Sequence, residues 1–294
     1  MLWAVFTLIA AAAQTARNAM QRELTARLGT VGATHVRFLF GFPFALIFLA
    51  GVMSATGEAL PATPLAFWPW VLAGAFTQIA ATATMLSVMG ERSFVVAYAY
   101  IKTEPVSVAL FGLIFLGDSI TPLSATAILI ATAGVIAISL KPGAGQVSTA
   151  RSTAIGLLSG ALFALSAIGY RGAILSLGHP SFVLAATFTV TVGLVIQAAS
   201  LSLYLALHDP QVLRAIARAW KPSMFAGFMG AFASEFWFLG FAITTAANVR
   251  TLALVEVLFA QAVTHFVFKQ PTSQREAAGI VLVVVGVALL VWAY

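Results

Sequence analysis

The sequence predicts an all-α membrane protein in which ten transmembrane helices form two inverted five-helix repeats. The prediction rests on composition, on ten apolar segments and on an internal repeat. Of the 294 residues, 61% are hydrophobic and 8% are charged, whereas an ordinary soluble domain has about 25% charged residues. Mean hydropathy is +1.00. Lipid therefore surrounds most of these side chains, because a soluble protein needs far more ionic surface.

Charge and cysteine content narrow the classes of function. The net charge of +6 comes mostly from Lys and Arg in short loops, where such residues set membrane orientation. We therefore expect no nucleic-acid partner. The chain has no Cys, which excludes disulfides and thiolate metal sites. We predict no metal site and no cofactor.

Ten apolar runs, separated by polar or Pro/Gly-containing stretches, are each near the roughly 20 residues that cross a bilayer core. The runs do not alternate as barrel strands do, and open sheet edges cannot face lipid, so we predict helices. Spans 1 to 5 are Leu2–Met20, Val31–Val52, Phe67–Met89, Ser93–Leu116 and Pro122–Leu140. Spans 6 to 10 are Ser152–Arg171, Phe182–Leu207, Pro222–Thr245, Val249–Phe268 and Ser273–Trp292.

An internal repeat relates the two halves of the chain. The hydrophilic segment KPGAGQVSTAR lies near the midpoint, which predicts a first repeat at residues 1–141, a linker at 142–151 and a second repeat at 152–294. Glu104 aligns with Glu256 and Gly134 with Gly286, in each case 152 positions apart. QRELTARLG in span 1 matches YRGAILSLG in span 6, and GAF triplets recur in spans 3 and 8. Three matches in the same order favour a repeat over chance.

Each half contains five predicted spans, an odd number, so the second half enters the membrane from the opposite face. Inverted repeats of this kind are typical of secondary transporters, whose substrate site lies near the membrane midplane between the repeats. A duplication that only builds a helical bundle is the alternative interpretation.

Polar and ionisable side chains at membrane depth indicate a cavity, because such groups cost several kcal/mol in lipid and usually face a bundle interior. Two cations and three carboxylates nearly balance there, which suits a zwitterion: the carboxylates for an ammonium group, Arg17 or Lys102 for a carboxylate. The predicted substrate-binding residues are Gln14, Arg17, Asn18, Gln78, Tyr98, Tyr100, Lys102, Glu104, Ser234, Glu235, Trp237 and Glu256.

Structural roles remain open for these residues. Charges can pair internally to fix helix packing, and amides and hydroxyls often join helices by hydrogen bonds. A role in proton coupling is a further hypothesis for Glu104, Glu235 and Glu256. Pro105 is the one proline deep within a polar span, and it removes a backbone hydrogen bond. We predict that span 4 bends at Pro105 and takes part in gating.

The stretch from Glu91 to Pro142 combines a polar helix containing Pro105, a turn at Leu116, Gly117 and Asp118, and a final span that contains glycine. This pattern resembles the end-of-repeat signature of EamA-type members of the drug/metabolite transporter superfamily. The second copy is looser, with FKQ at positions 268–270 and Val257 in place of the proline.

The resemblance implies a ten-helix transporter with a central cavity between helices three, four, eight and nine and their neighbours. Such proteins commonly export small polar metabolites, amino acids among them, and include the YddG-type aromatic amino-acid exporters. The resemblance does not select a substrate. The zwitterion argument, together with Tyr98, Tyr100 and Trp237, makes amino acids the leading class.

Membrane orientation is left open by the sequence. The face with the loops between spans 1–2, 3–4, 5–6, 7–8 and 9–10 holds eleven Lys and Arg residues, Arg37 included, against Arg171 and Arg250 on the face with both termini. The positive-inside rule places the termini outside the cytoplasm, whereas the family resemblance implies termini inside.

The leading functional hypothesis is a secondary transporter of the cell inner membrane, not an enzyme, that exports amino acids by alternating access. The expected partners are a small, zwitterionic solute and the lipid bilayer. We expect the chain to be a monomer. The alternatives are export of another metabolite or drug, a multi-pass membrane enzyme, a channel or a membrane scaffold. The chain lacks HExxH and a His-rich metal cluster, which argues against the enzyme.

Overall fold

The computed structural model describes residues 1–89, 100–139, 150–259, 261 and 273–293. Within these ranges the chain is helical and contains no strand. The helices are α1 (Leu2–Leu39), α2 (Phe42–Thr56), α3 (Phe67–Met89), α4 (Glu104–Phe111), α5 (Pro122–Ser139), α6 (Ala150–Ser176), α7 (Phe182–His208), α8 (Pro210–Arg218), α9 (Trp220–Ile243), α10 (Ala246–Leu252) and α11 (Gln274–Ala293).

The apolar helices make the chain an all-α multi-pass membrane protein. Seven stretches of the described chain are long and apolar enough to cross a membrane: one that joins the end of α1 to α2, and α3, α5, α6, α7, α9 and α11. Large apolar side chains such as Ile47 and Val281 are about 60% exposed on the outer surface, whereas charged side chains such as Arg17 and Glu256 are buried. This reversal of the soluble pattern suits a lipid surround.

The first predicted span was too short. Helix α1 continues past Met20, and it is interrupted only at Gly29, whose φ of 70° is the left-handed conformation that favours glycine. Gln21 Nε2 donates to Ala33 O over 3.1 Å, although twelve residues of straight helix would separate them by about 18 Å. The chain therefore reverses at Gly29, and the first two spans are joined by a tight turn.

The second predicted span is broken near its middle. It comprises the end of α1 and most of α2, which are separated by Phe40 and Gly41. Pro43 occupies the first turn of α2, where its missing N–H leaves no intrahelical bond unmade. The proline thus coincides with a break between two helices.

Spans 4 and 9 are also interrupted where the described residues cover them. Helix α4 begins at Glu104 after a turn at Lys102 and Thr103, and Pro105 lies in its first turn. Helix α10 passes into a 3₁₀ turn at Ala253–Val255 before helical structure resumes at Glu256. Both interruptions place ionisable residues at breaks in the helical backbone.

The loop between spans 7 and 8 contains a helix that the sequence did not predict. The hydrophilic stretch from His208 to Lys221 was interpreted as a loop, but Pro210–Arg218 forms α8. Ile216 is its one fully buried side chain, and Arg214 and Arg218 are exposed. One apolar contact stripe on a polar helix is typical of a helix that lies on a protein surface.

Three helix pairs make the most extensive contacts: α1 with α9, α3 with α6, and α5 with α11. Glycines bring the backbones of α5 and α11 together. A Cβ on Gly134 would lie 2.7 Å from Gly279 O, and one on Gly286 would lie 2.6 Å from Ala131 N and 2.8 Å from Ala127 O. A side chain at either glycine would therefore force the two helices apart.

Candidate functional site

A buried cavity lies among α1, α3, the segment before α4, α6, α9 and α10. Its walls combine four basic side chains with amides, a carboxylate and several aromatic rings. The lining residues are Gln14, Arg17, Asn18, Arg37, Gln78, Met85, Ile101, Lys102, Glu104, Phe163, Tyr170, Ser234, Trp237, Phe238, Phe241 and Arg250.

Two ion pairs at this cavity connect the two halves of the chain. Lys102 from the first half pairs with Glu256 from the second. Arg250 from the second half lies with its Nε 3.1 Å from Glu104 Oε1 of the first. Each pair is nearly buried, so each holds charges away from water at the boundary between the halves.

Gln14 of α1 connects one of these pairs to an aromatic wall. Its Nε2 donates to Glu256 Oε2 over 3.1 Å, and its Oε1 accepts from Trp237 Nε1 over 3.2 Å. The Arg250 guanidinium carbon lies 4.8 Å from the centroid of the Trp237 ring and 5.5 Å from that of Phe241. These distances are typical of cation–π contacts.

A second polar group surrounds Gln78 of α3. Its Oε1 accepts from Gln197 Nε2 over 2.9 Å and from the Tyr170 hydroxyl over 3.3 Å. The ring of Tyr170 packs against Gly74, where a Cβ would lie 2.9 Å from the ring. The GAF triplet in span 3 therefore supplies the space that this tyrosine occupies.

Arg17 and Arg37 enter the cavity from α1. Arg17 Nη2 donates to Asn18 Oδ1 over 2.8 Å. Arg37 is 4% exposed, and its Nη1 donates to Thr82 Oγ1 over 3.4 Å. Its guanidinium carbon lies 5.3 Å from the centroid of the Phe38 ring.

The assignment of Arg37 to a charged membrane face was wrong. The chain reverses at Gly29, so about 11 Å of helix separates Arg37 from the turn. Arg37 therefore lies within the span and not in the loop. Arg171 and Arg250, the two cations assigned to the opposite face, are also engaged inside the protein. Arg37, Arg171 and Arg250 therefore no longer count toward the charge difference between the two faces.

Most of the sequence-predicted site residues meet at this cavity. Those that line it are Gln14, Arg17, Asn18, Gln78, Lys102, Glu104, Ser234 and Trp237. Glu256 contacts it through Lys102 and Gln14. Pro105 is buried beside it in the first turn of α4.

The remaining predicted residues do not line the cavity. Tyr98 lies outside the described residues. The side chain of Tyr100 is not part of the wall, although its backbone oxygen accepts from Thr103. Glu235 lies on another side of α9, where its Oε1 is 2.5 Å from Thr187 Oγ1 of α7.

Sequence reasoning missed Arg37 and Tyr170 as cavity residues and placed Arg250 near a span end. Arg37 carried a signal, since it is an arginine inside an apolar run. Tyr170 aligns with Gln21 in the repeat match, but a tyrosine near a span end is usually an interface anchor. The position of Arg250 depended on the interruption in span 9, which the apolar pattern does not show.

A second, partly buried charge cluster lies where the loops between spans 4–5 and 8–9 meet the end of α6. Arg171 Nη2 donates to Asp118 Oδ1 over 3.1 Å, and Nη1 donates to Phe241 O over 2.7 Å and to Thr244 O over 2.5 Å. Gly117, with φ of 67°, makes the turn that presents Asp118. The cluster ties three segments together and borders a separate cavity.

Comparison with known proteins identifies a fold but not a family. No family model and no curated protein matches the chain. Twenty-seven chains of solved structures match. One of them, described as "Crystal structure of protein", superimposes with a TM-score of 0.73 at 15% identity, over 99% of this chain and 95% of that chain. At this identity the similarity shows the fold alone.

Proposed function

We propose that the protein is a secondary transporter, built from ten transmembrane helices in two inverted repeats, that moves a small polar metabolite through the buried cavity. The observation that carries the proposal is the cavity itself, whose charged wall is formed by both halves of the chain. Charged groups in a membrane interior are costly, and at a transport site they have a function that offsets this cost.

Reciprocal contacts between α5 and α11 support the inverted repeat. Gly134 approaches Gly279 and Val283, and Gly286 approaches Ala127 and Ala131. The repeat alignment at 152 positions pairs Gly134 with Gly286, residue 127 with Gly279, and residue 131 with Val283. Contacts that exchange partners in this way are the signature of a two-fold interface, here within one chain. The repeat also relates the pairs α1–α9 and α3–α6. The first pair brings spans 1 and 8 together, and the second brings together their repeat mates, spans 6 and 3.

Helix interruptions support a transport role. Span 4 is broken before Glu104 and span 9 is broken before Glu256, the two carboxylates that the repeat aligns. Discontinuous helices at the interface between inverted repeats commonly form substrate sites in secondary transporters. Amino acids, expected from the sequence, are the first class of solute to test, and export is the proposed direction.

The test is solute flux in proteoliposomes across a panel of amino acids, organic acids, sugars and cationic drugs, with and without a pH gradient. We expect saturable flux of at least one carboxylate-bearing solute. Ohmic conductance without saturation would support a channel instead, and the absence of movement for every solute would overturn the proposal.

Matched Glu→Gln variants distinguish the role of the cavity carboxylates in transport from that of a carboxylate on the surface. Glu104→Gln and Glu256→Gln each leave a cation at the cavity without its carboxylate partner, so both reduce flux by about tenfold or more. The control is Glu23→Gln, because Glu23 forms an exposed pair with Arg27 and an exposed pair contributes little. Wild-type flux in both cavity variants would assign these pairs to helix packing.

A further inference from the structure

The charges at the cavity do not suit both ends of a zwitterion. Its carboxylates are already engaged: Glu256 with Lys102 and Gln14, and Glu104 with Arg250. Glu235, the third carboxylate of the zwitterion prediction, lies against Thr187 and is not in the cavity wall. An incoming ammonium group would compete with the cation that already neutralises each of these carboxylates, so it would gain less than a carboxylate that binds an unpaired cation.

Arg37 is in the opposite situation. Its guanidinium has five N–H donors, but in the described part of the chain its polar contact is one hydrogen bond of 3.4 Å to Thr82 Oγ1. Its Nε has no hydrogen-bond partner there, and no carboxylate lies within 4 Å of it among those residues. A buried charge with so few partners is costly unless an anion binds to it.

The surrounding surface fits an organic acid. Within the described residues, four cations face the cavity, and two carboxylates, Glu104 and Glu256, contact it. Arginine binds carboxylates with two parallel hydrogen bonds. The walls beside these charges are apolar and aromatic, with Phe163, Phe238 and Phe241 among them, which suits a ring or an alkyl chain.

We propose that the cavity binds a carboxylate-bearing organic anion without an ammonium group, with the guanidinium of Arg37 on the carboxylate and Thr82 orienting the guanidinium. This proposal rests on the proposed function in one respect, that the cavity is the transport site. It replaces amino acids by organic acids without an ammonium group as the expected substrate class.

Three ligands with the same phenyl ring test the proposal: 3-phenylpropionate, phenylalanine and 2-phenylethylamine. They carry a carboxylate alone, both groups, and an ammonium alone. Binding is measured by calorimetry on the full chain in detergent, so transport is not needed. We expect 3-phenylpropionate to bind at least about tenfold more tightly than phenylalanine, and 2-phenylethylamine not to bind. Tighter binding of phenylalanine, binding of the amine, or no binding of any of the three would overturn the proposal.

Variants of Arg37 test whether its guanidinium binds the carboxylate of the ligand. Arg37→Gln removes charge-assisted hydrogen bonds, so it weakens 3-phenylpropionate binding by about 10- to 100-fold. Arg37→Lys keeps the charge and restores part of the affinity, which a purely structural role would not predict. The control is Arg218→Gln, which removes an exposed arginine from α8, and thermal melting checks the fold of each variant. Unchanged affinity in Arg37→Gln overturns the assignment.

Flux measurements distinguish failure of this proposal from failure of the proposed function. Binding of 3-phenylpropionate, together with no flux of any solute of the panel in proteoliposomes, would leave the anion site in place and overturn the transporter. Saturable flux of phenylalanine without binding of 3-phenylpropionate would leave the transporter in place and overturn the anion site.

Discussion

Two arginines that are largely withdrawn from water, Arg37 and Arg171, have very different surroundings in this protein. Arg171 has a carboxylate, Asp118, and two backbone carbonyl oxygens within 3.1 Å. Arg37 has one hydroxyl at 3.4 Å and an aromatic ring. Both are largely withdrawn from water, where the desolvation of a guanidinium is costly. Among the residues that the structure describes, the protein compensates the charge of Arg171 but leaves most of the hydrogen-bonding capacity of Arg37 unused.

The difference indicates different roles. A cation whose two terminal nitrogens are bonded to three segments of chain, as in Arg171, holds those segments together. A cation with unused donors at a cavity is ready to bind a ligand, since the ligand supplies the missing acceptors. Arg171 is accordingly a structural residue, and Arg37 is a ligand-binding residue.

The largest effect is expected at Arg171. Arg171→Ala leaves the partly buried Asp118 without its cation and frees the carbonyl groups of Phe241 and Thr244, so it lowers stability by about 3 kcal/mol. Thermal melting of the purified protein measures this loss. Arg218→Ala, which changes an exposed arginine, is the control and should melt within about a degree of the wild type. If Arg171→Ala melts like the control, Arg171 does not have the structural role assigned to it.

An intermediate effect is expected when Arg37 is given a partner of its own. Thr82→Asp places a carboxylate beside the Arg37 guanidinium, which makes its surroundings resemble those of Arg171. We expect the variant to be about 1–3 kcal/mol more stable, because the new bond joins two charges, and to lose binding of 3-phenylpropionate. Melting and calorimetry measure the two effects. Thr82→Asn, which adds no charge, is the control. Tight ligand binding by Thr82→Asp would contradict the role of Arg37.

The smallest effect is expected at Glu235, a buried acid that has a hydroxyl as its partner. Thr187 Oγ1 lies 2.5 Å from Glu235 Oε1 and 2.8 Å from Val183 O. The Thr187 hydroxyl donates to Glu235 Oε1 and also lies within hydrogen-bond distance of Val183 O, so its one proton is shared between two acceptors. Glutamine keeps an oxygen that accepts from Thr187, and Glu235→Gln should change stability by less than about 1 kcal/mol.

Thermal melting of Glu235→Gln and Glu235→Leu tests this arrangement. The leucine variant leaves the Thr187 hydroxyl without its partner and should be the less stable of the two. A Glu235→Gln variant that loses as much stability as Arg171→Ala would show that Glu235 is held as a carboxylate.

The sequence predicted the fold class because lipid imposes a strong compositional pattern on every helix that crosses it. It did not predict where helices end inside the protein. The polar run after Met20 was interpreted as a loop, yet Gln21, Leu24 and Leu28 are buried, so this run is a continuing helix with an internal face. The turn at Gly29 depends on one left-handed glycine, which has no distinct apolar pattern.

The sequence named most of the residues that line the cavity, but it did not predict how they pair. Lys102 and Glu104 are two positions apart, so on a helix they point about 200° apart and need partners from other elements. The partners, Glu256 and Arg250, depend on how the two halves pack, which spacing along one helix does not determine. The zwitterion prediction came from counting charges, and it did not consider which charges neutralise each other.

The central claim, that this cavity opens to each side of the membrane in turn, is tested most directly by cysteine accessibility. The chain has no native Cys, so Ser234→Cys places a single thiol in the cavity wall, and Ser159→Cys places one in a buried position outside it. A membrane-impermeant thiol reagent is applied to one side or the other of sealed vesicles. We predict labelling of the Ser234→Cys variant from both sides, slowed by 3-phenylpropionate, and no labelling of the Ser159→Cys control. Labelling from one side only, or from neither, would contradict alternating access.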